Sequence, residues 1–309
     1  MTTYLVTGGA GFIGSHLVET LLQRGMQVRV LDNFFSGNRE RLAPWAADVE
    51  VIDGDLRDPD AVQRAVAGAE VVLHQAAVPS VQRSVRDPQL TNEVNVTGTL
   101  NLLVAARDAG VRRVVFASSS SVYGDTPTLP KVESMPTDPL SPYAVTKLAG
   151  ERYCLVFAGV YGLPAIALRY FNVFGPRQDP HSDYAAVIPR FITRMLSGEQ
   201  PIIYGDGEQS RDFTYVANVV AANLLAAEAP ASISGVFNVA GGERISLLQL
   251  MEQINDLIGT DITPIHEPAR AGDVKHSQAG IDRIRETLGF VPVVDFIEGL
   301  KLTVESFRG

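Results

Sequence analysis

The chain has 309 residues, of which 46% are hydrophobic, so it can bury a large core in one large domain or two. A net charge of −9 and a pI of about 5.1 argue against nucleic acid as a partner, while leaving room for an anionic ligand held by local amides and arginines. One cysteine (Cys154) and five scattered histidines exclude a disulfide framework and give no metal-ligand spacing.

No apolar run approaches the ~18–20 residues of a membrane helix, and nothing resembling a leader precedes Tyr4. The expectation is a soluble, cytoplasmic protein without a membrane partner. Thr3–Thr7 reads as a buried strand. Gly8-Gly9-Ala10-Gly11-Phe12-Ile13-Gly14 follows, then an amphipathic helix from about Ser15 to Arg24. Glycines at 8, 11 and 14 allow a tight turn, close backbone approach to a pyrophosphate, and helix–strand packing. Amides at the helix start would face the phosphates.

The second strand, Gln27–Asp32, ends in a carboxylate where the ribose hydroxyls of a dinucleotide are expected. An acid there repels a 2′-phosphate, which favours NAD over NADP. Asn33 follows it directly. Val49–Ile52 is a third strand, leading to Asp55 and Leu56 beside the adenine. Glu70–His74 is a fourth, leading to Gln75, Ala76 and Ala77, small enough to let a ring lie close. A helix is expected over Asp87–Asp108, then a strand over Val111–Phe116 ending near Ser119. Strands alternating with helices imply right-handed crossovers and a doubly wound parallel sheet, with ligands at the C-terminal strand ends.

Ser141 and Pro142 read as an N-cap and first helical residue, so Tyr143 opens a helix and Lys147 lies one turn on, on the same face. A phenol titrating near ~10 is a poor base at neutral pH, and a fixed cation beside it is expected to lower that value. Ser119 could share a proton with the same substrate oxygen. The helix continues through Tyr153–Tyr161, apolar on nearly every face. A homodimer through this helix and the one near 87–108 is the expected cover. From Gly175 the regular alternation breaks, so residues 1–174 are expected to form the NAD-binding domain and 175–309 a smaller substrate domain. The chain is expected to return to the main sheet around 213–240.

These residues resemble the extended short-chain dehydrogenase/reductases, and among them the nucleotide-sugar 4-epimerases. The resemblance spans essentially the whole chain. It is carried by Gly8–Gly14, Ser118–Gly124, Ser141-Pro142-Tyr143 with Lys147, Leu168–Gly175 and Gly205–Asp212. It implies a Rossmann fold, NAD (held through Gly8, Gly11, Phe12, Ile13, Gly14, Asp32, Asn33, Asp55, Leu56, Gln75, Ala76, Ala77, Tyr143 and Lys147) and a UDP-sugar substrate. It also implies that Tyr143 takes the C4 hydroxyl proton as hydride leaves C4, that Ser119 bonds the same oxygen, and that the 4-keto sugar turns over before hydride returns.

On the substrate side, Asn172, Arg211 and Arg270 resemble the diphosphate contacts. Asp273 resembles the uridine-ribose carboxylate, and Val187 and Ile188 the floor beneath the uracil. Ser80, Ser120, Ser121 and Tyr143 complete the implied contacts. Ser277 falls where a bulky Tyr would close the pocket to an N-acetyl group, which implies room for UDP-GlcNAc and UDP-GalNAc beside UDP-glucose and UDP-galactose. Pro79-Ser80 departs from the Gly-Ser that N-acetyl-preferring members tend to carry. Dehydratases and decarboxylases of this kind place acids after the catalytic Ser/Thr, where this chain has Ser120 and Ser121. UDP-glucuronate 4-epimerase, and a non-catalytic NAD-binding protein, are the other readings.

Overall fold

The computed structural model describes residues 2–180, 186–268 and 275–308. Its first half alternates as expected: β1 (Thr3–Thr7), α1 (Phe12–Gln23), β2 (Gln27–Asp32), β3 (Val49–Asp53), α2 (Pro59–Val66) and β4 (Val71–His74). Then come α3 (Val81–Arg86), α4 (Pro88–Asn92), α5 (Gly98–Asp108), β5 (Arg113–Ser119), α6 (Pro142–Tyr161) and β6 (Ala165–Tyr170). The second half holds β7 (Val173–Phe174), α7 (Val187–Leu196), β8 (Ile202–Tyr204), β9 (Ser210–Arg211), β10 (Thr214–Tyr215) and α8 (Val216–Glu228). It closes with β11 (Gly235–Val239), β12 (Ile245–Ser246), α9 (Leu247–Ile258), β13 (Ile265–Glu267), α10 (Asp282–Leu288) and α11 (Phe296–Arg308).

Seven strands form one sheet in the order β11-β6-β5-β4-β1-β2-β3, every neighbouring pair parallel. The order reverses between β1 and β4, so a crevice opens at their C-terminal ends. Both faces are covered. Leu17, Val18 and Leu21 of α1 share one core with Val219 and Leu224 of α8. Val62 of α2, Leu102 and Leu103 of α5, and Cys154 and Phe157 of α6 build the core opposite. A third core gathers α7, α9 and α11 around the packed rings of Phe174, Phe213, Tyr215 and Phe296. Among the described residues the remaining ladders are two-stranded: β10–β7, β12–β9 and β13–β8.

Two local expectations need correction. The single helix over 87–108 is broken into α4, a π-helical turn at Glu93–Thr97, and α5. In that turn Asn95 accepts from the Val78 amide at 2.7 Å and donates to the Val78 carbonyl and to Thr146 Oγ1. A widened turn that aims one polar side chain inward is a common use of π geometry. The strand expected over 111–116 instead runs Arg113–Ser119, which places Ser119 in its last hydrogen-bonded position, opposite Tyr170. The Tyr143 helix forms as expected. Ser141 Oγ accepts from the Ala144 amide, Pro142 is the first residue, and Gly162 ends the helix in the left-handed region at φ 68°.

Candidate active site

A cleft of about 1320 Å³ lies along the strand ends. Its floor is the glycine turn. Gly8 has φ +68°, and a Cβ on Gly14 would lie 2.1 Å from the Gly8 carbonyl oxygen, so no side chain is tolerated where α1 meets β1. Among the described residues no side chain caps α1. Phe12, Ile13 and Gly14 line the cleft, so the amides of the first helical turn are presented to whatever lies in it. Asp32 is 7% exposed and held by two backbone donors, Ala10 N at 2.9 Å and Phe34 N at 2.8 Å. Burial raises its carboxyl above the ordinary value, against these two bonds.

Asn33, Asp55, Leu56, Gln75, Ala76 and Ala77 all line the same cleft. Asn33 Nδ2 donates to Asp55 Oδ2 at 2.7 Å, and Arg57 bonds the same carboxylate, holding it down to about 2. Gln75 is fixed from the far side by the Tyr170 hydroxyl and by Asn223 of α8. A bare helix N-terminus, a fixed carboxylate and small residues along one groove fit a dinucleotide.

Ala117, Ser118, Tyr143 and Lys147 line the cleft at the end of β5. Lys147 is 4% exposed and its Nζ donates to the Ala117 carbonyl at 2.8 Å. Desolvation lowers its ammonium to about 8. The ammonium lies 5.8 Å from the Tyr143 ring centroid. The expected lowering of the phenol by Lys147 is corrected here. Desolvation raises Tyr143 above 10, and the opposing influence is a hydrogen bond with Ser119. The helical spacing brought the two side chains to one face, and Lys147 directs one of its three donors to a strand carbonyl. Deeper still, His74 bridges Thr7 Oγ1 at 2.7 Å and Thr99 Oγ1 at 2.9 Å; burial, then Lys147, depress it to about 3, so it is neutral.

The residues expected on the substrate side are spread more widely. Ser80 lines the cleft as the N-cap of α3, its Oγ accepting from Arg83 N. Ser120 and Ser121 form a 3-10 turn after β5, in which Ser121 N donates to Ser119 Oγ at 3.2 Å. Asn172 Nδ2 reaches Ser277 Oγ at 3.5 Å and the Asp212 carbonyl at 3.2 Å, so two residues 105 apart in sequence meet. Arg211 turns its Nη1 onto the Ser210 and Lys275 carbonyls. Val187 opens α7 and packs against the third core. Arg270 and Asp273 lie outside the described residues.

Sequence reasoning missed one wall of the cleft, formed by Arg41, Trp45 and Arg177. Arg41 donates to the Ala10 and Arg177 carbonyls, and Arg177 lies 5.2 Å over the Trp45 ring. The turn-rich Gly175-Pro176-Arg177 reads only as a boundary, because nothing local shows that it folds back over α1. Arg177 at φ 68° in a non-glycine residue marks a constrained position, visible only in three dimensions.

A sheet that reverses at a bare-ended α1, with Ser119, Tyr143 and Lys147 gathered one strand away, defines a dinucleotide enzyme of the short-chain dehydrogenase type. The profile of the NAD dependent epimerase/dehydratase family matches residues 4–240, and the chain belongs to that family, with NAD as its cofactor. Within it, the chain is 43% identical to a UDP-glucose 4-epimerase of Mycolicibacterium smegmatis over 308 residues, 98% of each chain. It superposes on a UDP-N-acetylglucosamine 4-epimerase of Methanobrevibacter ruminantium, in complex with UDP-N-acetylmuramic acid, with a TM-score of 0.95 at 44% identity, covering 99% of this chain and 98% of that one. A Thermus thermophilus UDP-glucose 4-epimerase in complex with NAD superposes with a TM-score of 0.90 at 41% identity, covering 100% and 99%.

Proposed function

We propose that this enzyme is a UDP-sugar 4-epimerase that interconverts UDP-glucose with UDP-galactose and UDP-GlcNAc with UDP-GalNAc. The observation that carries the reading is Ser119 at the end of β5, whose Ala117 and Ser118 line the cleft with Tyr143 and Lys147, followed by Ser120 and Ser121 rather than by an acid. Those two positions therefore carry no carboxylate of the kind found in the dehydratases and decarboxylases. Bound NAD supplies a reversible hydride acceptor. Tyr143 takes the C4 hydroxyl proton as its phenolate and returns it to the other epimer. Ser119 holds the same oxygen, and Lys147 keeps a positive charge beside the ring.

The names of the similar proteins support both sugar series, and Ser277 beside Asn172 supports room for an N-acetyl group. Asn172 and Arg211 are assigned to the diphosphate, and the segment from 175 onward to the UDP-sugar. Proton NMR of the purified protein with UDP-GlcNAc or UDP-glucose, with no cofactor added, tests the assignment. New anomeric signals of the 4-epimers are expected from both. Absence of product from either, even with added NAD, overturns it.

The enzyme is assigned as a homodimer through α6 and the helical segment 87–108. Val145, Val156, Val160 and Tyr161 on α6 are 49–68% exposed, and Val85 on α3 is 64% exposed. Val160→Glu is expected to yield monomers by light scattering; an unchanged mass would remove this face from the interface. No helix among the described residues is long and apolar enough to cross a membrane.

A further inference from the structure

Beneath the reacting groups lies a buried ion pair to which the mechanism gives no part. Glu151 sits one turn after Lys147 on α6, and Arg169 stands on β6 in register with Ser118. Their side chains are 1% and 3% exposed. Arg169 donates from Nε and Nη2 to the two Glu151 oxygens, each at 2.8 Å. Ser118 Oγ donates to Glu151 Oε1 at 2.5 Å. One turn back along α6, Lys147 Nζ bonds the Ala117 carbonyl. The helix is therefore fastened to β5 at two successive residues immediately before Ser119. The Arg169 guanidinium also lies 4.6 Å from the Tyr123 ring, in the turn that carries Ser120 and Ser121.

Stability does not explain such a pair. Burying two charges costs several kcal/mol each, and an apolar pair of similar volume is often as stable or more so. Among the described residues Arg169 Nη1 is moreover buried without a hydrogen bond of ordinary geometry, a further cost. The directionality of a bidentate guanidinium–carboxylate contact is what an apolar pair lacks. Misplacement of reacting groups by about 1 Å can cost about a hundredfold in rate, so direction has value here.

We propose that Glu151 and Arg169 are positioning residues, whose ion pair sets α6 against β5 so that the Ser119 hydroxyl meets the Tyr143 phenol. The proposal rests on the reading of that serine and tyrosine as the reacting pair. The test is the double variant Glu151→Leu/Arg169→Met, which removes both charges together and leaves neither buried alone. Two quantities are compared with the parent: kcat and KM for UDP-glucose by NMR, and the Tyr143 phenol titration by ultraviolet difference against Tyr143→Phe in each background.

The double variant is expected to fold and retain NAD, with KM within about twofold and kcat down about thirtyfold or more. Its phenol should titrate about half a unit or more higher, because the Ser119 bond that favours the phenolate is lost. A merely structural pair would move the melting temperature and leave both readouts alone. A parental kcat or a parental titration in the folded double variant overturns the proposal. Should that variant fail to fold, Glu151→Gln, which keeps size and one acceptor oxygen, replaces it: a lowered kcat with a raised titration supports the role, and parental values refute it. The titration needs no substrate, so a parent that epimerises nothing would refute the proposed function while the positioning role is still decided.

Discussion

The two ends of the site are built differently. At the cofactor end the expected residues follow the glycine turn and the ends of β2, β3 and β4, and all of them line one cleft. At the end proposed for the substrate, Asn172, Arg211 and Ser277 come from three separate segments joined by short ladders and single hydrogen bonds. A parallel sheet forces its strand ends into line, so local sequence places the cofactor residues. No such scaffold orders the substrate end, where placement depends on how distant segments pack. Cofactor-end changes should therefore act on loading and stability, and substrate-end changes on which sugar is turned over.

The largest expected effect falls at the junction. Tyr143→Phe should lower kcat about 10³-fold, within the range for a lost general base, while the absorbance of bound NAD stays at the parental level. Persistent turnover would sink Tyr143 as the proton acceptor. At the cofactor end, Gly14→Ala forces a Cβ against the Gly8 carbonyl and should destabilise the protein by about 1–3 kcal/mol, with a matching loss of retained NAD in denaturation and cofactor-content assays. Parental stability in both would mean that the turn relaxes more than its packing suggests.

At the substrate end, Ser277→Tyr should cut UDP-GlcNAc turnover about tenfold relative to UDP-glucose, measured as a rate ratio by NMR. An unchanged ratio would show that another residue sets the pocket. A pH effect concerns His74, whose folded value near 3 lies below its unfolded value near 6.5. Its contribution is present above pH 6.5 and is lost as pH falls toward 3, because the unfolded chain takes up the proton first. Urea midpoints should therefore decline on acidification by at most about 1.4 kcal/mol per pH unit from this group. His74→Gln should flatten that slope; an unaltered slope would assign it to other groups.

Much of this molecule was written locally. The order of strands and helices, the glycine turn, Asp32 at the end of β2, and the Ser141 cap that opens the Tyr143 helix all follow from short-range pattern. Such features depend on neighbours within a turn or a strand, which the sequence states directly. Tertiary structure decided the rest. It tied the Lys147 ammonium to the Ala117 carbonyl, and broke the 87–108 helix so that Asn95 could serve Val78 and Thr146. It also carried Arg177 over Trp45, and brought Asn172 to Ser277. Each of these is a choice among partners far apart in the chain, made by which buried polar group could be satisfied once the sheet had closed.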